Sequence, residues 1–406
     1  MPIIDLSQIS GFPINLFNQV SVASRNVQRQ IKQNTPLRNR LLTEGQVSGS
    51  GTSSSHAFTN NYTDLTVGTA VGLRRLSDSV CSLYVNAEAF YFFQTFRFSQ
   101  GGEPNVIERV GYFDDGDGVF LRQNSAGISL ELRSSTGFGS TEPIANWNGG
   151  NDFTNPLKPE YLDFTKAPIM FGTFQYLGEG NVKIYFLINS KPYLAHTFNF
   201  ANTLDKPYWR TPNLFCRYEI EKTVAGGNAR TLRAICSQTS SEGSTIVRGY
   251  PIPIESNVPK NLGTALQYRP LIIFRLNPLY LNSRIIIKSL LVATTANNAN
   301  IIASIVRNPV LTGFTPTWTD YPNSSIQFQL LDAQTINMAS PLPNEGSTIL
   351  TDYGSSVSKV TSTESRENYY LSVNFANVPD IFALVSYTST GNVNLEYRSV
   401  TLFEET

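Results

Sequence analysis

Apolar and polar residues alternate along most of this chain in short runs of strand length. Ile128, Leu130 and Leu132 alternate with polar neighbours, which is the pattern of a strand with one buried face. The segment 182–188 repeats this pattern, and the segment 83–98 is rich in aromatic residues. Turns containing Gly, Asn and Asp separate the runs. Many short strands with turns between them predict an all-β fold rather than alternating strands and helices.

Two breaks in the pattern divide the chain. Small polar residues dominate the segment 47–55, and three prolines punctuate a polar stretch that starts at Pro251. We therefore predict two β-sandwich, jelly-roll-like domains preceded by an N-terminal arm. The predicted boundaries are 1–45 for the arm, 46–55 for a Gly/Ser linker, 56–250 for the first sandwich, 251–264 for a Pro-containing linker and 265–406 for the second sandwich.

The arm differs from the rest of the chain because its apolar residues lie among Gln, Asn and Arg. Their spacing gives a weak helical stripe, and the charged residues around them are mostly basic. The residues that carry this pattern are Leu16, Phe17, Val20, Arg25, Val27, Arg29 and Ile31. Such a segment buries too little surface to be stable alone, so we interpret it as an arm that anchors the protein to a neighbouring subunit. The alternative is a loosely attached tail.

Charge and composition argue against several classes of function. Lys plus Arg and Asp plus Glu both number 31, so the net charge is zero, which argues against nucleic acid as the main partner. The apolar runs are strand-sized, which argues against membrane insertion. Two His and three Cys leave little room for a metal cage. Cys81, Cys216 and Cys236 are widely spaced, which predicts free, buried thiols.

An ordered set of sequence blocks is similar to a known family. The set begins with Arg109-Val-Gly-Tyr-Phe-Asp-Asp-Gly-Asp-Gly-Val-Phe-Leu and continues at 128–135, 146–148, 162–166, 176–182, 196–198, 201–202, 211–220, 235–237, 241–244, 268–271 and 307–309. In this order the blocks resemble a β-rich family of virion structural proteins found in tailed bacteriophages and some large DNA viruses. The chain departs from the usual family pattern at Phe215-Cys216 and at 148–152.

The resemblance implies a non-enzymatic particle component, which would be a tail, fibre, baseplate or capsid-associated subunit. It supplies no catalytic residues, cofactor or metal ligands to carry over to this chain. The expected partners are other virion proteins and copies of the same chain, with a trimer expected for a fibre. The expected location is the virion, after synthesis in the host cytoplasm.

Two further classes of function stay as alternatives. A carbohydrate-binding module acting in host attachment would recognise a surface glycan. A glycan-degrading enzyme would need paired carboxylates, for which Glu219, Glu221 and Asp163 can be named, but no sequence motif supports it. His196 likewise comes without a nucleophile-elbow motif, so we interpret it as a hydrogen-bonded histidine at a strand end.

The three tryptophans are candidate contact residues. Trp147, Trp209 and Trp318 lie in turn-rich contexts beside Asn, Pro and Thr. A tryptophan in such a context can stack on a sugar, or it can fill a core or a subunit interface. We favour a core or interface position and keep glycan contact as the alternative.

The segment Asp114-Asp-Gly-Asp-Gly is acidic enough to suggest calcium. It does not match an EF-hand loop, which needs oxygen ligands at positions 1, 3 and 5 and Gly at position 6. Asp and Gly tolerate the positive φ that a tight hairpin requires. We therefore predict a hairpin turn here, with an ion site between Asp114 and Gly118 as the alternative.

We expect the purified chain to form a homo-oligomer, because the arm has no core of its own and the many strands leave sheet edges exposed. Light scattering of the full-length chain measures this. A monomer at every accessible concentration would contradict the expectation.

Overall fold

The computed structural model describes residues 25–33, 42–86, 88–99, 101–242, 249–294, 300–311, 313–332, 336, 338, 347–354, 369–389 and 391–405. Contacts divide the chain into two compact units, Met1–Ile246 and Val247–Thr406. The predicted all-β fold is confirmed, because the helical residues within these ranges are limited to 3-10 turns at Phe58–Asn60 and Ile144–Asn146. In the same ranges no helix has the length and hydropathy to cross a membrane.

The first unit contains two antiparallel sheets. Its strands are β1 Arg25–Lys32, β2 Leu42–Gly49, β3 Thr52–Ala57, β4 Tyr62–Val67, β5 Gly72–Asp78, β6 Phe90–Arg97, β7 Val106–Phe113, β8 Gly118–Asn124, β9 Gly127–Arg133, β10 Ser140–Pro143, β11 Ile169–Phe174, β12 Val182–Ile188, β13 Lys191–Phe198, β14 Cys216–Lys222 and β15 Arg230–Glu242. The first sheet has the order β13-β12-β11-β6-β15-β4-β3, and β1 also pairs with β15. The second sheet has the order β10-β9-β8-β7-β14-β5-β2.

Aromatic side chains from both sheets pack between them. The ring of Tyr112 on β7 lies 5.2 Å from that of Phe90 and 5.6 Å from that of Phe92, both on β6. Gly172 on β11 makes room for this packing, since a Cβ there would meet the Phe92 ring at 2.2 Å. The alternating residues at 128–132 and 182–188 place their apolar members in this core, as the sequence pattern predicts.

The helical stripe predicted for the arm is wrong where the structure describes it. Residues 25–32 form β1, whose backbone pairs antiparallel with the second half of β15, from Arg25 opposite Glu242 to Lys32 opposite Cys236. The stripe was weak, and pairing with a distant strand overrides a weak local preference. Leu16, Phe17 and Val20 lie outside the described residues.

The Gly/Ser linker predicted at 46–55 is also wrong. These residues belong to β2 and β3 and to the turn between them. Each strand is the outermost of its sheet, β2 beside β5 and β3 beside β4. Small polar residues suit such an edge because one side of the strand faces water.

The second unit also consists of antiparallel strands. They are β16 Gly249–Ser256, β17 Lys260–Asn261, β18 Arg269–Leu276, β19 Arg284–Ala293, β20 Ile301–Arg307, β21 Thr319–Asp320, β22 Ile326–Leu330, β23 Ser347–Gly354, β24 Tyr369–Tyr370, β25 Phe382–Thr388, β26 Asn394–Leu395 and β27 Tyr397–Glu405. The third sheet is β16-β27-β19-β24, the fourth is β21-β22-β18-β25-β20-β23, and β17 pairs with β26. Apolar residues of both large sheets are buried, for example Ile285 and Ile287 in the third and Ile272 and Phe274 in the fourth.

The Pro-containing linker predicted at 251–264 is also wrong, because this segment contributes to β16 and β17. Ile252 and Ile254 of β16 are buried, while Pro251 and Pro253 alternate with them and are exposed. β16 is an edge strand with β27 on one side. Proline lacks an N–H, but on an edge strand that position can face water, so the strand forms despite it.

Two carboxyl groups are buried inside the first unit. Burial raises the pKa of Asp78 to about 7, and the Arg29 charge and the Cys216 backbone N–H offset part of that effect. Burial also raises the pKa of Glu108 to about 7, although Ser99 and Gln123 donate hydrogen bonds to it. In the unfolded chain both groups would titrate near their ordinary values of about 4.

We therefore expect the first unit to lose stability as the pH rises. A folded-state pKa above the unfolded one means that the folded state keeps its proton longer, so stability falls from about pH 4 and the loss is complete above about pH 7. The melting temperature should be several degrees lower at pH 8 than at pH 5. Asp78→Asn should flatten this dependence, and Asp205→Asn, at an exposed aspartate, should not. An unchanged slope in Asp78→Asn would contradict the assignment.

Candidate functional site

A cavity lies at one end of the second unit, where three segments meet. The loop 277–283 follows β18, the turn 321–325 precedes β22, and Glu404 lies near the end of β27. The register brings them together, because Leu276 at the end of β18 pairs with Ile326 at the start of β22. The backbone N–H of Asn277 also donates to the Ser325 carbonyl at 2.8 Å, which ties the loop to the turn.

The cavity has a volume of about 560 Å³. Its lining combines two carboxylates, two tyrosine rings, amides and hydroxyls, and it contains no basic side chain among the described residues. The lining residues are Asn277, Leu279, Tyr280, Ser283, Asp320, Tyr321, Pro322, Asn323, Ser324, Ser325 and Glu404.

Asp320 is held on the cavity wall by amide donors. Its Oδ1 accepts hydrogen bonds from Asn277 Nδ2 at 3.1 Å and from Gln327 Nε2 at 2.8 Å. Gln327 is fixed in turn, because its Oε1 accepts from the Arg275 guanidinium at 2.8 and 3.0 Å. The carboxylate is thus oriented by one donor from the loop 277–283 and one from β22.

Glu404 is the buried acid of the cavity. Its Oε2 accepts from Ser324 Oγ at 2.7 Å and from Tyr250 Oη at 3.2 Å, and its Oε1 accepts from the backbone and hydroxyl of Ser325. Partial burial, followed by the Glu404 charge, raises the pKa of Tyr250. These bonds fix the carboxylate against the 321–325 turn.

The rim of the cavity is aromatic and apolar. Tyr280 is 53% exposed and Leu279 is 75% exposed, so both project into water beside the polar wall. Tyr321 is held against the Phe328 ring at 5.9 Å between centroids. An exposed ring next to fixed hydrogen-bonding groups can bind a ligand that has an apolar face and polar edges.

The three tryptophans differ in burial. Trp147 and Trp209 are 8% and 0% exposed. Their Nε1 atoms donate to backbone carbonyls, of Glu142 at 3.0 Å and of Arg133 at 2.9 Å. Both rings fill the core of the first unit, so the glycan-contact alternative is wrong for them.

Trp318 is half-buried, and the Arg275 guanidinium lies 4.2 Å from its ring centroid. It packs against a buried apolar cluster that includes Ile273 and is not among the residues that line the cavity, and glycan contact stays a prediction for this residue. Of the arm residues, Arg25 and Ile31 are on β1 and Arg29 is buried in the first unit.

The acidic segment at 114–118 forms the predicted hairpin turn between β7 and β8. Asp114 Oδ1 accepts from the backbone N–H groups of Gly116 and Asp117, and Asp117 accepts from Ser135. The carboxylates therefore stabilise the turn itself. Within the described ranges no three His, Cys, Asp or Glu side chains are grouped so as to hold a metal ion.

The carboxylates considered for catalysis are occupied by arginines. Glu219 Oε2 accepts from Arg75 and its Oε1 from Arg109, each at 2.8 Å, and Arg109 also binds Glu221 at 2.8 Å. Burial alone would raise the pKa of Glu219, but Arg75 and Arg109 lower it overall. Asp163 is separate from this group and caps its own turn through Thr165.

His196 is buried, and its Nδ1 lies 3.4 Å from the backbone N–H of Asn148. Burial lowers its pKa, with the Glu142 charge as an opposing effect. Of the cysteines, Cys81 and Cys216 are buried as predicted, whereas Cys236 is exposed, which corrects the prediction for that thiol.

No protein-family model and no curated protein matches the sequence. Three solved structures illustrate its structural likenesses. The carbohydrate recognition domain of Emp47p has 12% identity and a TM-score of 0.34 over 54% of this chain and 97% of its own. An endo-β-1,4-glucuronan lyase from the fungus Trichoderma reesei has 11% identity and a TM-score of 0.32 over 55% and 97%. The CBM2 module of the evolved Dit of Lactobacillus casei BL23 phage J-1 has 8% identity and a TM-score of 0.37 over 55% and 99%. At TM-scores this low, the all-β assignment rests on the strands themselves.

Trp209→Ala should lower the free energy of unfolding by roughly 3–5 kcal/mol, because it empties a core position that is closed to water. Leu157→Ala, at a side chain that is 91% exposed, should change it by less than about 0.5 kcal/mol. Denaturant unfolding measures both. Equal stabilities of the two variants would contradict the core placement of Trp209.

Proposed function

We propose that this chain is a non-enzymatic virion component that binds a glycan in the cavity of its second unit. The virion role rests on the ordered sequence blocks described above. The binding role rests on one observation, which is the cavity where the fixed carboxylates of Asp320 and Glu404 lie beside the exposed ring of Tyr280.

A glycan matches this arrangement chemically. A pyranose ring has hydroxyl groups around its edge and a C–H face that packs on an aromatic ring. Asp320 and the serine hydroxyl oxygens supply acceptors for the edge, the Ser283 hydroxyl supplies a donor, and Tyr280 supplies a surface for the face. The volume of about 560 Å³ is within the usual range for small-ligand sites.

The same contacts favour binding over hydrolysis. Glycoside hydrolysis needs one carboxyl group to donate a proton and a second to attack or activate water. Glu404 is engaged by donors from Ser324, Ser325 and Tyr250, and Asp320 Oδ1 by two amides. Both groups therefore act as oriented acceptors in this proposal.

Tyr280→Ala and Asp320→Ala should each weaken binding to the glycan found on an array by at least tenfold, or about 1.4 kcal/mol. The first change removes the stacking surface and the second removes the fixed acceptor. Tyr161→Ala is the matched control, since it removes an exposed tyrosine from the first unit and should leave binding unchanged.

Titration calorimetry with the full chain gives the affinities, and a reducing-sugar assay with the same glycan tests for hydrolysis. If Tyr280→Ala and Asp320→Ala both still bind the array glycan with unchanged affinity, the binding site lies outside this cavity. Release of reducing ends would overturn the non-enzymatic assignment. Mass spectrometry of purified particles tests the virion role separately, and absence of the chain from them would overturn it.

A further inference from the structure

The strand β1 is attached to the first unit along one edge. Its backbone pairs with residues 236–242 of β15, and among the described strands none pairs with its other edge. β4 pairs with the first half of β15, so β1 continues the same side of that long strand. Val27 on β1 is 48% exposed, and no apolar side chain that the structure describes on β1 is buried.

A bulge directs one β1 side chain into the unit. The register of β1 shifts between Val27 and Arg29, so Gln28 lies at the bulge, where its Nε2 also donates to Ser241 Oγ of β15 at 3.3 Å. Gln28 Nε2 donates to the Leu83 carbonyl at 2.6 Å, and the Leu83 N–H donates back to Gln28 Oε1 at 2.8 Å. The amide therefore satisfies both backbone groups of Leu83, as a neighbouring strand would.

The next residue brings a charge into the interior. Arg29 is 6% exposed, and its charge acts on Asp78, which is 1% exposed at the end of β5. A buried carboxylate without a nearby cation is costly. Together, Asp78, Leu83 and the open edge of β15 form a groove that needs a strand carrying Gln and Arg at adjacent positions.

β1 pairs with β15 through seven residues, but it is attached to the first unit along one edge only. Removing β1 would break one strand edge and the contacts of two polar side chains, so its local opening is favoured over opening of a core strand. β1 and β2 belong to different sheets and are joined by residues 33–41. Every contact that β1 makes can be made identically by the same strand of another copy, which is the low-cost route of strand exchange.

We propose that this groove, which we call the β1 groove, is an intersubunit strand-acceptor site that takes β1 of a second copy of this chain. Arg29 of one copy then lies near Asp78 of the next and favours its charged form. Copies linked in this way use the same β1–β15 contacts that the single chain makes, so no additional interface is required. The identity of the glycan in the second unit does not affect this assembly, so the two proposals are tested independently.

The register offers a direct test. Lys32 is opposite Cys236, whose thiol is free and exposed, so Lys32→Cys places two cysteines on paired positions. Oxidation of this full-length variant should give disulfide-linked dimers or larger species on a non-reducing gel, and reductant should remove them. Lys32→Cys combined with Cys236→Ser is the matched control and should stay uncrosslinked. The native chain, oxidised in parallel, reports any linkage through Cys236 alone.

A labelled peptide of residues 25–33 gives the second measurement. It should bind the full-length chain by exchange into the β1 groove, and the same peptide with Arg29→Ala should bind at least tenfold more weakly. Crosslinked monomers alone would show that β1 stays in its own chain and would overturn the proposal. If the variant does not crosslink, peptide binding decides: binding that depends on Arg29 supports exchange, and its absence overturns it.

Discussion

The packing of aromatic rings between the two sheets of the first unit is the interaction on which the rest of that unit depends. Phe90, Phe92 and Tyr112 lie in contact across the sheets, and Trp209 closes the same core with no exposed surface. Burying such rings supplies most of the favourable free energy available to a chain with few charges. The acidic side chains of β14, Glu219 and Glu221, are excluded from this core, and arginines of the neighbouring strands β5 and β7 neutralise them.

Strands with local signals could be predicted from the sequence, and those that depend on distant partners could not. The alternation at 128–132 reports burial directly, because adjacent residues of a strand face opposite sides. β1 has no such signal, since its partner Glu242 is more than two hundred residues away in the sequence. The linker prediction for the segment 46–55 is wrong for a related reason. Its Ser and Gly residues suit a linker and an outer strand equally, and only the fold distinguishes these.

The candidate site was even less predictable from the sequence than these strands. Asn277, Asp320 and Glu404 come from three segments, and each has an ordinary explanation in its own sequence context. The turn signals at 277–278 and 321–323 mark loops but not a cavity. The acidic segment 114–118 is the opposite case. Its sequence suggests an ion site, but the structure shows a hairpin turn. Asp114 caps the turn, Asp115 is paired with Arg75 and Arg217, and Asp117 accepts from Ser135 and Arg210. Local acidity is thus a weaker guide to a site than convergence of separate loops.

The edge prolines of β16 have a consequence for how two copies of this chain can meet. Pro251 and Pro253 occupy alternate positions of this edge strand and carry no N–H, so β16 offers fewer backbone donors than an ordinary strand. A sheet of one copy is therefore hindered from continuing into a sheet of another across this edge. The prolines therefore protect this edge of the second unit against edge-to-edge pairing with another chain.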